Sequence, residues 1–189
     1  MLAPGPASDV LGGPQTEEEE DAQNYITVTP PDDAAACYSE GMARKKEKKW
    51  PEAIAALRRC VDLDANHSSA WFELGYAFEQ RDGKLSEASY EPYTRCIALD
   101  PSDAVAHNNL ASVLADVRKD YDGAEKLYRK AIELDPKQTN ACWNLSDILE
   151  RQRNDIPGAI EAMEEYIRRG NPDNDGEQEL ARLRYLSTL

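Results

Sequence analysis

The chain has 189 residues, enough for one ordinary domain and a tail, with 36 Asp and Glu against 22 Lys and Arg and a formal net charge of −14. That balance argues against a nucleic-acid phosphate binder, which needs a basic face. No apolar run approaches the ~18 residues of a membrane helix, so membrane insertion is not expected either.

Residues 1–33 hold Asp9, the run Glu17-Glu18-Glu19-Glu20-Asp21 and the pair Asp32-Asp33, with no Lys or Arg. Pro and Gly are frequent there, and so little apolar surface cannot offset the entropy of ordering. The expectation is an acidic tail and linker over 1–33, disordered over 1–24. The opening residues lack the basic start and apolar centre of a signal peptide. The β-prone stretch YITVTPP (25–31) reads as a linker that packs on the first helical unit, or as a recognition segment for another protein.

From residue 34 a repeat of about 35 residues dominates. The anchor alanines Ala53, Ala88, Ala124 and Ala159 recur at intervals of 35, 36 and 35. Small residues Gly41, Gly75, Ala111 and Ser146 keep nearly the same period, as do the large residues Leu57, Tyr93, Tyr128 and Met163. Breakers close each unit: Ala65-Asn66, Pro101, Pro136 and Asn171-Pro172. Each unit reads as two amphipathic helices, A and B, joined by a polar turn. The small residue and the alanine mark the crossing of A on B, and proline ends B. Four units are placed at 34–67, 68–103, 104–138 and 139–173. Relative to the first, units 2, 3 and 4 carry one extra residue in the A–B turn. Unit 2 carries another within helix B near Pro92, which predicts a π-type bulge and a bend there. Residues 174–189 put Leu180, Leu183 and Leu186 on one face and are expected to form a helix capping the last unit.

The pattern W-x-x-L-G-x-x-x-F … A-x-x-x-Y-x-x-A-I-x-L-D-P resembles the tetratricopeptide repeat. Trp71, Leu74, Gly75, Phe78, Ala88, Cys96, Ile97, Leu99, Asp100 and Pro101 carry it. Unit 1 departs most, with Cys37 and Glu40 where Trp and Leu are usual and Ala65 for the proline. The resemblance implies an all-α, right-handed superhelix of four repeats whose A helices line a concave groove. Its groove positions fall on Tyr38, Ser39, Met42 and Lys45, then on Phe72, Glu73, Tyr76 and Glu79. They continue at Val105, Asn108, Asn109 and Ser112, and at Asn140, Trp143, Asn144, Asp147 and Glu150.

An asparagine amide offers a donor and an acceptor, the complement of a peptide backbone. AHNNLAS and CWNLSD look like repeats of the O-linked N-acetylglucosamine transferase superhelix, which holds peptides on such a ladder. The match is specific at Asn109 and Asn144 and fails at Ser39 and Glu73, so two rungs are expected. Asn108 is expected to matter less than Asn109. The bland alternative is that both asparagines merely follow the family consensus. The 189 residues hold no glycosyltransferase domain. A carboxylate clamp for chaperone C-termini is not implied either. The matching positions Tyr38, Met42, Glu73, Val105 and Asn109 offer no cation.

Other signals read as structure. RKKEKK (44–49) is a solvated helix terminus placed at the negative end of its dipole, although contact with an acidic partner would use the same charges. NPDNDGEQELAR (171–182) mimics a calcium loop but has Arg182 at the decisive twelfth position. Cys37, Cys60, Cys96 and Cys142 lack metal-ligand spacing and occupy core positions. His67 and His107 have no catalytic partner at a useful spacing. The expected function is a non-catalytic protein–protein adaptor, without cofactor or metal, in the cytoplasm or nucleus. The alternatives are a structural subunit of a large assembly, or a regulatory or targeting subunit of an enzyme such as a glycosyltransferase.

Overall fold

A computed structural model describes residues 33–170 and 174–189, so the expectations for the acidic tail and for Tyr25–Pro31 lie outside the described residues. Among those described, nine α-helices succeed one another with no strand. They are α1 (Ala34–Lys46), α2 (Trp50–Leu63), α3 (Ser68–Asp82), α4 (Tyr90–Leu99), α5 (Ala104–Val113), α6 (Tyr121–Leu134), α7 (Thr139–Arg153), α8 (Ile156–Arg168) and α9 (Asn174–Leu186). Each helix packs on the next in chain order. Helices α1, α3, α5 and α7 are the A helices, and α2, α4, α6 and α8 are the B helices of an α-solenoid closed by α9.

Local chemistry sets the starts. Carboxylates of Asp33, Asp103, Asp120 and Asp155 accept from the backbone N–H of Ala36, Ala106, Gly123 and Gly158, and His67 Nδ1 accepts from Ala70. Each cap satisfies a donor that the first turn leaves orphaned. Pro51 and Pro157 stand in the first turns of α2 and α8, where no donor is needed. In α2 the side chains Ala53, Ile54, Leu57, Cys60 and Val61 share one buried stripe.

In repeats 1 and 2 the small residue of A receives the large residue of B. A Cβ on Gly41 would stand 2.7 Å from Leu57 Cγ, and one on Gly75 would stand 2.8 Å from Tyr93 Cε1. Ser146 closes the fourth crossing by donating to the Ala159 carbonyl at 2.9 Å. Repeats 1 and 2 share one core around Leu57, Leu74 and Phe78, while repeats 3 and 4 share another with Leu180 and Leu183 of α9. Tyr93, Leu110 and Val113 join the two halves.

Three local expectations are corrected. In repeat 2 the anchor at the crossing is Ser89, fully buried and four residues before Tyr93; Ala88 is exposed. A short 3-10 turn, Glu87–Ser89, precedes α4 and shifts the register by one. Helix B of repeat 2 therefore has no inserted residue and no π bulge, because Pro92 falls in the first turn of α4. The π turn lies instead at the end of the A helix of repeat 3, over Leu114–Arg118. There, and in repeat 4, the extra residue lengthens helix A and not the turn: only Lys119-Asp120 and Asn154-Asp155 separate A from B.

Candidate functional site

The two faces of the solenoid differ. On the A side neighbouring helices touch: Lys45 Nζ of α1 donates to Glu73 Oε2 of α3 at 2.5 Å, and Asn144 Nδ2 of α7 donates to Asn108 Oδ1 of α5 at 3.3 Å. On the B side the helices splay. A cleft of about 600 Å³ opens between α2 and α4, and one of about 280 Å³ between α6 and α8. The A face is the inner one.

The residues expected on that face divide into three sets. The aromatic side chains are half-buried and tied to the scaffold. Phe72 packs on Tyr93 with ring centroids 5.8 Å apart, Trp143 lies edge-on to Tyr166 at 5.3 Å, and Tyr76 meets Trp50 at 6.1 Å. Lys45 sits over the Tyr76 ring, 4.8 Å from its centroid. Val105 and Asn140 are exposed near the helix starts, and Met42 is half-exposed. Ser39 is turned back onto its own helix, donating to the Ala35 carbonyl.

The second set is a continuous chain of hydrogen bonds. Asn144 Nδ2 donates to Asn108 Oδ1, Asn108 Nδ2 donates to Asn109 Oδ1 at 3.2 Å, and Asn109 Nδ2 donates to the Tyr93 hydroxyl at 3.3 Å. Tyr93 in turn donates to Glu79 Oε2 at 3.2 Å, and Ser89 Oγ reaches Glu79 Oε1 at 3.2 Å. Alongside, Ser112 Oγ lies 3.0 Å from the Tyr128 hydroxyl. The asparagines are thus not two independent rungs. Asn108, discounted on sequence grounds, is the bridge between repeats. Its role could not be read from spacing, since it depends on the side-chain directions of two helices 36 residues apart.

Carboxylates form the third set. Burial raises Glu79 above the usual carboxylate range, against the lowering effect of its bonds from Ser89 and Tyr93. Burial also raises Asp147, which pairs with Arg151 at 2.8 Å and faces Asp116, Glu150 and Glu179. Glu150 is bridged by Arg182 of α9 at 2.5 Å. Tyr128 is pushed up to about 12 by burial.

The remaining candidates are structural. Burial pushes the Cys60 and Cys96 thiols up to about 11, which makes them poor nucleophiles. His67 is an N-cap stacked 4.6 Å from Tyr38, and buried His107 lies 2.8 Å from the Asp103 carbonyl. Within the basic run, Arg44 pairs with Glu40 and Glu47, and Lys49 with Glu47. No group of three or more metal-ligating side chains occurs among the described residues. Sequence reasoning missed the α2–α4 cleft, walled by Arg58, Leu74, Phe78, Tyr90, Pro92 and Arg118. The extra turn residues of repeat 2 were its one legible signal.

Stacked helix hairpins, each A helix crossing its B helix at a small residue, define a helical repeat solenoid. The tetratricopeptide repeat model matches residues 38–104, 91–139 and 108–175, and the chain belongs to that family. A mouse PEX5-related protein is 26% identical, over 58% of this chain and 21% of its own length. The tetratricopeptide repeat-containing protein trd-1 of Caenorhabditis elegans is 33% identical, over 46% of this chain and 11% of its own. The chain thus spans about a fifth or less of those relatives. Among solved structures, MamA superposes with a TM-score of 0.72 at 20% identity, covering 79% of this chain and 80% of that one. Pseudomonas aeruginosa pilF superposes at 0.66 with 22% identity, covering 82% and 69%. These likenesses confirm the fold. Proteins of this family generally mediate protein–protein interaction.

Proposed function

We propose that the chain is a non-catalytic adaptor that holds an extended segment of a partner protein along the inner face of repeats 2–4. The supporting observation is the run of half-exposed amides from Asn109 to Asn144, flanked by Phe72, Tyr76, Glu73, Ser112, Trp143, Asn140 and Asp147. Each amide keeps hydrogen-bonding capacity after its bonds within the protein are counted, and a peptide backbone supplies the matching groups at every residue. A C-terminal carboxylate is a poor occupant, because Lys45 is already spent on Glu73.

The test is the double substitution Asn109→Ala with Asn144→Ala, using partners identified by pull-down and mass spectrometry and then measured as purified peptides. Two lost neutral hydrogen bonds at roughly 0.5–1.5 kcal/mol each predict about five-fold to hundred-fold weaker binding. Unchanged affinity would remove the inner face as the binding surface. A melting curve belongs beside it. Some loss of stability is expected in it, since Asn109 also holds Tyr93 and accepts from Asn108.

A further inference from the structure

The chain of bonds from Asn144 to Glu79 has a direction, and one residue sets it. An amide flipped alone within the chain would oppose oxygen to oxygen or nitrogen to nitrogen, so Asn108, Asn109 and Asn144 turn together or not at all. An ionised carboxylate only accepts. Tyr93 must then donate to Glu79 and accept from Asn109. Asn109 must aim its nitrogen at Tyr93 and its oxygen at Asn108, and Asn108 must aim its oxygen at Asn144. At the open end, the Asn144 nitrogen is engaged by Asn108. Its oxygen accepts from no described residue.

We infer that Glu79 is a positioning residue for the proposed binding face: sitting at the closed end of the relay, it orients three amides across two repeats, so that the group offered to a partner at Asn144 is a carbonyl oxygen suited to a backbone N–H. The inference rests on the adaptor reading only for its use; the relay is a property of the free protein. With Glu79 protonated or removed, the constraint lapses, and Asn144 can present its NH2 in place of its oxygen. The groups that bear on this carboxyl and its relay are Tyr93 on α4, Glu73 on its own helix and Lys45 on α1, which is paired with Glu73. Asp147 and Asp116 lie at the other end.

The experiment needs no partner and therefore fails separately from the adaptor reading. In the full-length, 13C- and 15N-labelled protein, the Glu79 carboxyl carbon and the Asn side-chain amide signals are followed from pH 7.5 downward by NMR. The expected result is that the Asn108, Asn109 and Asn144 amide signals move with the Glu79 midpoint, apart from any component that follows Asp147. In Tyr93→Phe, Glu79 should still titrate while all three amides lose its component. In Asn108→Ala, a half-exposed site less prone to unfold the chain, Asn109 should still follow Glu79 and Asn144 should not. Asn144 signals indifferent to Glu79 in the parent protein would overturn the inference, as would an undiminished response in either variant.

Discussion

At the scale of single residues, two positions carry opposite lessons. Gly75 is glycine because Tyr93 occupies the space a methyl would need, and Tyr93 is fully buried and held by Glu79 and Asn109. Alanine is about 1 kcal/mol better in a helix interior, yet overpacking a rigid crossing costs about 1–3 kcal/mol. Gly75→Ala should therefore lower stability in urea unfolding; a gain would show that the ring can yield. Glu79 is strained in a different sense. Its folded pKa lies above the unfolded value, so the ionised form is the disfavoured one and the native state binds the extra proton. Its penalty is absent below the unfolded carboxyl range and complete above the folded pKa. Glu79→Gln keeps an acceptor for Tyr93 and removes the buried charge. It should be at least as stable as the parent at pH 7 and lose part of the parent's gain in stability as pH falls through the folded Glu79 pKa toward the unfolded carboxyl range. Melting temperatures across that window decide it, and an equal pH slope in both proteins would count against the assignment.

Elements are joined by one recurring device. Lys48, Gly83, Lys119 and Asn154 recur once per repeat and all adopt the left-handed conformation between helices A and B, with φ of 58°, 64°, 59° and 54°. A side chain there costs roughly 1 kcal/mol, and only repeat 2 uses glycine. Lys119→Gly should therefore stabilise the protein by up to about 1 kcal/mol, less the entropy glycine adds to the unfolded chain. Chemical denaturation checks it, and a loss would mean that the lysine makes contacts beyond its backbone. The same joints carry ion pairs spaced one repeat apart, Glu87 with Arg118 and Asp122 with Arg153. Both are exposed, so they set register more than they add stability.

At the scale of the whole molecule, each repeat leans on its neighbours, and the last needs a lid. Leu183 of α9 is fully buried against the core of repeats 3 and 4, Leu180 is nearly so, and Arg182 and Arg184 pair with Glu150 and Glu164. Removing residues 174–189 should expose Met163, Tyr166 and their neighbours, producing aggregation or a broader unfolding transition by light scattering and circular dichroism. A truncation as soluble and cooperative as the parent would mean that α9 is dispensable.

The period of about 35, the small-against-large crossings, the breakers and the capping helix were all legible in the sequence. Each obeys a local rule: helical periodicity, the size of a side chain where backbones approach, or the missing donor of proline. The register of repeat 2 was not legible, because Ala88 and Ser89 are both small and only the packing of Tyr93 tells which one is inside. Nor was the placing of the extra residues, which a helix can absorb as a π turn as readily as a turn can. The side-chain partners of the positions named by family register could not be deduced from that register. Asn144 bonds Asn108 and not its register mate Asn109, and the chain of bonds that joins them ends on a carboxylate in repeat 2. Hydrogen-bond partners depend on the relative rotation of helices far apart in the chain, and that rotation is fixed only when the repeats stack.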